Sequence, residues 1–170
     1  VAPNPFLVSV TALRRSPGGT VQAERRCGPL TGLAVTSARV PDGAEVCVDV
    51  DLESVHGGIM AHGIVATTWE GECRRCLGTA TGTVHAEVRE LFEPGSDADE
   101  TYPLMGEQLD LAPLARDAVL LELPQAPLCA EACQGLCPTC GANLNEGGCS
   151  CEAQATDPRW AALDALRHEP

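Results

Sequence analysis

Six of the chain's ten cysteines fall between Cys129 and Cys151, in the run C-A-E-A-C-Q-G-L-C-P-T-C-G-A-N-L-N-E-G-G-C-S-C. Within it, Cys137-Pro138-Thr139-Cys140-Gly141 has the C-P-x-C-G form of a zinc knuckle. Two cysteines separated by two residues can turn both thiolates toward one ion. The Gly that follows permits the tight turn that aims backbone N–H groups back at the sulfurs. Cys149 and Cys151 close the other side after a loop, Gly141 to Gly148, that is rich in Gly and Asn. Four thiolates leave no open position for a substrate, so the spacing predicts a structural zinc site rather than a catalytic one.

The remaining cysteines then have to be shared out. Cys73-Arg74-Arg75-Cys76-Leu77-Gly78 is a second C-x-x-C, placed where a strand ends and enters a Gly-containing turn. A redox pair would want its first cysteine at a helix N-terminus, where the dipole lowers the thiol pKa. A metal half-site suits this position better, and it needs two more ligands. Cys129 and Cys133 are unclaimed if the four later cysteines form their own site. The arithmetic gives two four-thiolate zinc sites, Cys73/Cys76/Cys129/Cys133 and Cys137/Cys140/Cys149/Cys151, with Cys27 and Cys47 left as ordinary thiols. The competing partition puts a single zinc in the tail and leaves two of its six cysteines idle. Cysteines clustered at metal-ligand spacing, rather than spread as staples, point to a reducing cytoplasm.

Charge narrows the partners. The net charge is −13 and every one of the 11 cations is Arg. Residues 1–41 hold Arg14, Arg15, Arg25, Arg26 and Arg39 against Glu24 alone, whereas residues 42–72 hold seven acids and no Arg, and residues 87–110 hold eight acids and Arg89. A chain this acidic is no general nucleic-acid coat, since that binding needs many cationic phosphate contacts. A local patch of Arg14, Arg15, Arg25, Arg26, Arg74 and Arg75 could still touch a few phosphates, or could simply balance an acidic body. No apolar run reaches membrane-span length, and the N-terminus lacks the basic and apolar regions of a signal peptide.

Hydrophobic residues make up 44% of the chain but only five are aromatic, so Val, Leu and Ala must fill the core. Phe6, Val8 and Val10 alternate with Leu7, Ser9 and Thr11 as far as the Ser16–Gly19 turn, and Val21 and Ala23 continue in a return strand toward Cys27. Val46, Val48, Val50 and Leu52 face one way and Cys47, Asp49 and Asp51 the other, which is the period of a half-buried antiparallel strand. His56-Gly57-Gly58 turns the chain into a partner strand, Ile59 to Glu72, and Thr79 to Phe92 supplies a third strand with Val84, Ala86 and Val88 on one face. Residues 93–108 read as a solvated acidic loop. Asp110 caps a helix with Pro113 in its first turn and Leu111, Leu114, Ala118 and Leu121 toward the sheet. Asp157-Pro158 opens a last helix with Trp160, Leu163 and Leu166 inward. The fold class is therefore α+β: a mostly antiparallel curved sheet or small barrel with two packed helices and a zinc-stapled, cysteine-rich C-terminal segment. Residues 1–128 form a β-rich domain with one helix, 129–152 the zinc-binding segment and 153–170 the C-terminal helix on the body.

No catalytic constellation emerges. The chain has no G-x-S-x-G, no phosphate-binding Gly-rich loop and no Lys that a Walker loop would require, and His56, His62, His85 and His168 are scattered. The motifs do carry a resemblance. C-R-R-C-L at 73–77 comes first, then an Asp-capped helix ending in L-P, then P-L-C-x-x-x-C-x-G-L-C-P-x-C-G-x-N-L-N, a C-x-C and D-P-R-W. Over roughly residues 70–167 this resembles the YceD family, bacterial and plastid proteins associated with accumulation of large-subunit ribosomal RNA. The resemblance implies a non-enzymatic, cytoplasmic assembly factor acting on or near large-subunit ribosomal RNA, with no catalytic residues and no small-molecule substrate. An acidic surface suits a basic ribosomal protein as partner better than a phosphate backbone. Two other classes stay open on the residues alone: a thiol-disulfide oxidoreductase using Cys73 and Cys76, and a zinc-stabilised protein-interaction module outside the ribosome.

Overall fold

The alternation at residues 46–52 becomes the centre of the structure. In the computed structural model, which describes residues 4–15, 20–95, 101–151 and 159, Val46, Val48, Val50 and Leu52 are all buried in one core. They lie on β4 (Glu45–Val55), which runs antiparallel to β5 (Gly58–Glu72), which in turn runs antiparallel to β6 (Thr79–Glu93). The meander expected from residues 45–92 is thus present, with Val84, Ala86 and Val88 buried on β6. Full burial of each such Val or Leu contributes about 1.5–3 kcal/mol. Trp69 of β5 lies over its cross-strand partner Gly82, where a Cβ would sit 2.8 Å from the indole. It joins the sheet core to a smaller cluster of Cys73, Ala80 and Cys133.

The two N-terminal strands are arranged differently from the local hairpin expected. β1 (Leu7–Ser9) pairs with β8 (Gln108–Asp110), while β2 (Val21–Pro29) pairs with β4. Between them the chain forms a short helix, α1 (Thr11–Arg15), which buries Leu13. The Ser16–Gly19 turn itself lies outside the described residues. The sheet order is β1-β8-β7-β6-β5-β4-β2, where β7 is Tyr102–Met105, so the first two strands form opposite edges, and the short β3 (Ala38–Arg39) pairs with β5 off this path. The curvature brings those edges back together. Gln22 of β2 donates its Nε2 N–H to the Ser9 carbonyl of β1 at 3.1 Å, and Gly28 leaves room for Pro5, whose Cγ would lie 2.5 Å from an added Cβ. The result is a nearly closed sheet whose seam is bridged by side chains.

Within the expected acidic loop, residues 102–105 and 108 lie in strands. β7 (Tyr102–Met105) turns at Gly106 into β8, and β7 runs parallel to the end of β6, with Tyr102 stacked on Phe92 at 5.3 Å between ring centroids. Burial of Leu104 and Leu109 drives this hairpin, which the many acids of the region concealed. α2 (Ala112–Glu122) follows; its N-cap position is Leu111 rather than the expected Asp110, whose Oδ1 accepts the Ala112 N–H at 2.9 Å from one residue further out. The buried stripe of α2 is Leu111, Leu114, Ala115 and Val119, whereas Leu121, expected inward, is 85% exposed. At 100° per residue Leu121 lies within about 20° of Leu114, at the rim of a buried arc centred on Leu111 and Ala115, and on the last turn of the helix it falls outside that arc.

Cys27 and Cys47, expected as ordinary thiols, form a disulfide. The β2–β4 register sets them directly opposite each other, with Cα atoms 4.1 Å apart. The helix expected from Asp157 onward lies outside the described residues. Among those described, no helix is long and apolar enough to cross a membrane.

Candidate metal centres

The loop joining β5 to β6, residues 73–78, is a compact knuckle. Cys73 donates its N–H to Gly78 O at 2.8 Å, and Leu77 donates to Cys73 O at 2.9 Å. This turns Cys73 and Cys76 in one direction. Cys129 and Cys133, on the segment after α2, come to meet them, and the four sulfurs lie within 4.8 Å of one another. Cys73 Sγ is 3.8 Å from Cys133 Sγ, and Cys76 Sγ is 3.5 Å from Cys129 Sγ. Four thiolates placed tetrahedrally about one ion at a bond length of about 2.3 Å would be about 3.8 Å apart. The set therefore fits a single metal ion.

The second group repeats the pattern locally. Gly141 donates to Cys137 O and Cys137 to Ala142 O, both at 2.8 Å, forming the C-P-x-C-G knuckle. Cys149 and Cys151 approach from the far side of the loop, and all four sulfurs again lie within 4.8 Å of one another. All eight cysteines singled out from the sequence are thus divided into the two groups predicted by spacing, and none of the tail's six stands apart. Each group can hold a metal ion.

Electrostatics favour a cation at both places. The backbone N–H groups of Cys76 and Cys129 hold the Cys73 thiol down to about 6, while Cys129, sharing hydrogen bonds with Cys76 and Cys133, is pushed up to about 12. Likewise the N–H groups of Cys140 and Thr139 bring Cys137 to about 6, and the neighbouring Cys140 thiol pushes Cys151 up to about 12. One thiol of each set ionises readily, and another resists until a positive charge offsets the crowding of thiolates.

Several supporting residues were not apparent from spacing. Arg75 donates its Nη1 N–H to Cys133 O at 2.8 Å and to Glu131 O at 3.4 Å, and its own carbonyl accepts the Leu136 N–H at 3.2 Å. Asn145 sits in the loop of the second group yet donates its Nδ2 N–H to Cys133 Sγ of the first at 3.3 Å, and its Oδ1 accepts the Gln134 N–H at 2.8 Å. Gly135 has φ +79 and lies against the Arg75 carbonyl, where a Cβ would come to 3.0 Å. The N-L-N run around Asn145 was the visible signal, since Asn side chains often serve backbone and thiolate donors and acceptors at turns.

The structure separates the six arginines considered for RNA contact. Arg14 donates to Gly106 O at 2.6 Å, Arg26 pairs with Glu24 at 2.8 Å, and Arg75 is tied into the first cysteine group. Arg15, Arg25 and Arg74 have no ion pair or side-chain hydrogen bond among the described residues, and they lie on α1, on β2 and in the knuckle. Because β1 and β2 do not pair, the two N-terminal Arg pairs do not flank a common hairpin.

Fold and site together define a cysteine-knuckle protein built on a curved, nearly closed, mostly antiparallel sheet. The chain belongs to the YceD family: residues 61–167 match the family described as large ribosomal RNA subunit accumulation protein YceD. It is similar to an uncharacterized protein of Mycobacterium tuberculosis, 36% identical over 168 residues that cover 94% of this chain and 80% of the relative. An uncharacterized protein of Mycobacterium leprae is 30% identical, covering 94% of this chain and 76% of the relative. The Arabidopsis thaliana protein named large ribosomal RNA subunit accumulation protein YCED homolog 1, chloroplastic, is 29% identical, covering 81% of this chain and 54% of the relative. No solved structure matches.

Proposed function

We propose that the chain is a non-enzymatic, cytoplasmic accessory factor that supports accumulation of large-subunit ribosomal RNA, by binding that RNA, a basic ribosomal protein, or both. The match over residues 61–167 to a family described by this role carries the reading. The net charge of −13 favours a basic protein as the direct contact, with Arg15, Arg25 and Arg74 as the cations free to meet phosphate. Zinc is the metal that the two all-sulfur sets suit best, held by Cys73, Cys76, Cys129 and Cys133 in one and Cys137, Cys140, Cys149 and Cys151 in the other. When bound it supplies cross-linking; no position is left open for a reacting ligand.

A thiol-disulfide exchange role fits less well. Cys73 is fully buried and its sulfur faces Cys133, so attack on an external disulfide would require the group to open. Depletion of the protein in growing cells, with large- and small-subunit ribosomal RNA measured together, tests the proposal. A selective fall in the large-subunit RNA is expected. An unchanged ratio of the two, with growth otherwise impaired, would refute the reading.

A further inference from the structure

Beside the first cysteine group, the 34–39 loop, the end of β5 and residues 125–127 enclose a groove of about 840 Å³. Its walls are fixed. Ser37 Oγ–H donates to Pro124 O at 2.8 Å, and the Arg74 N–H donates to Pro127 O at 3.0 Å. The lining is mainly small, with Ala34, Thr36, Gly71 and Ala126 among it, and no aromatic ring. Of its four charges, Arg39 is locked to Glu70 by two hydrogen bonds, at 2.9 and 2.6 Å. Glu72 and Arg74 are both exposed and have no ion pair among the described residues.

A second observation lies between two lining positions, Arg74 and Gly78. Leu77 has φ +60, a conformation in which the Cβ of an L-residue is crowded, and 58% of its surface is exposed. In the other knuckle the same place, directly after the second cysteine, is held by Gly141 with φ +75, where no Cβ is present to object. Packing does not offset the strain at Leu77. A large apolar side chain held outward at such a cost is what a contact surface requires.

We propose that this groove, with Leu77 beside it, takes an extended, positively charged segment of a protein partner. Small walls admit a polypeptide backbone closely, and the unpaired Glu72 gives a cationic side chain a place to sit. Arg74 can meet a main-chain carbonyl, and the field of a chain carrying −13 draws cationic segments from a distance. Single-stranded RNA is a poorer occupant, since the groove offers no ring for stacking and two carboxylates in its wall. The groove's own geometry carries the proposal, and it does not require a ribosomal partner, so it can fail separately from the reading above.

Fluorescence anisotropy on the full-length, zinc-loaded chain tests it with three labelled probes at physiological salt: an alternating Lys/Val peptide of about twelve residues, its Glu/Val counterpart, and a single-stranded RNA of the same length. The Lys/Val peptide should bind saturably and better than the other two. Thr36→Trp, which fills the groove without changing charge, and Glu72→Gln should each weaken it by about fivefold or more. Leu77→Gly should weaken binding while leaving Tm unchanged or raised, because Gly adopts φ +60 without crowding. Equal binding by wild type and Thr36→Trp would show that only the overall charge is being read, and would overturn the proposal. So would preference for RNA, or no saturable binding. A lowered Tm with intact binding in Leu77→Gly would make Leu77 structural and remove it from the surface.

Discussion

The two cysteine groups use the same four donors and are reached by the chain in opposite ways. The first joins the β5–β6 hairpin to the segment after α2, across separations of 53 and 60 residues, with Cys73 and Cys133 buried. The second is closed within one loop, Cys137 to Cys151, and has one buried cysteine, Cys137, where the first has two; each group has one exposed cysteine, Cys129 and Cys140. Burial and long-range closure make the first a staple for the body of the molecule. The second organises little beyond its own turn, except through Asn145, which reaches back to the Cys133 sulfur. Identical chemistry thus does different structural work according to where the chain supplies its ligands.

Cys133→Ser should break the contrast at its strongest point. The metal content, expected to be two ions per chain, should fall by about one, and Tm should drop by on the order of 10 °C or more, since metal binding at such a site is coupled to folding. Atomic absorption and calorimetry would check this; an unchanged Tm would mean that the first group does not hold the body together. Cys140→Ser should also remove about one ion, yet leave the β-sheet circular dichroism and the first group's metal in place. Loss of both ions would show that the groups cannot be filled separately.

Smaller changes sharpen the link between the groups. Asn145→Ala removes no ligand, but it takes away the N–H···S bond and the partner of the Gln134 N–H. Affinity at the first group should fall by about tenfold in a chelator competition, the usual lower range for loss of a supporting hydrogen bond. Arg75→Gln should give a similar or smaller loss there, through the contacts to Cys133 O and Glu131 O, and should leave any salt dependence of RNA binding unaltered. A flattened salt dependence would return Arg75 to the phosphate-contacting set.

Much of this arrangement was readable before any coordinates. Val46 to Leu52 alternate cleanly because β4 has the core on one side and solvent on the other, and cysteine spacing encodes ligand pairing almost directly. What stayed hidden depends on long-range register. Nothing local says that Leu7–Ser9 will pair with Gln108–Asp110 rather than with the next strand, or that Cys27 will stand opposite Cys47. Composition concealed the β7–β8 hairpin, because Asp97, Asp99 and Glu100 crowd the sequence just before Leu104 and Leu109. On α2, a count in threes and fours admitted Leu121, though Ala115 and Val119 complete the buried stripe. The N-L-N run marks Asn145, but its partner stayed hidden for a further reason: Cys133 belongs to the other group.

The separations between ligands also bias the order of events as the chain folds. Cys137 to Cys151 lie close in sequence, so the second knuckle needs only a short loop to close before it can hold an ion. The first group has to wait for two distant segments to meet, and closing a loop of about 60 residues costs roughly 1 kcal/mol more than closing one of about 15. Loop closure alone therefore places its assembly later, once β6 and α2 have carried Cys129 and Cys133 back to the hairpin. The early knuckle acts as a seed and the late one as a latch, and Asn145, already held in the seed, is waiting when the latch closes.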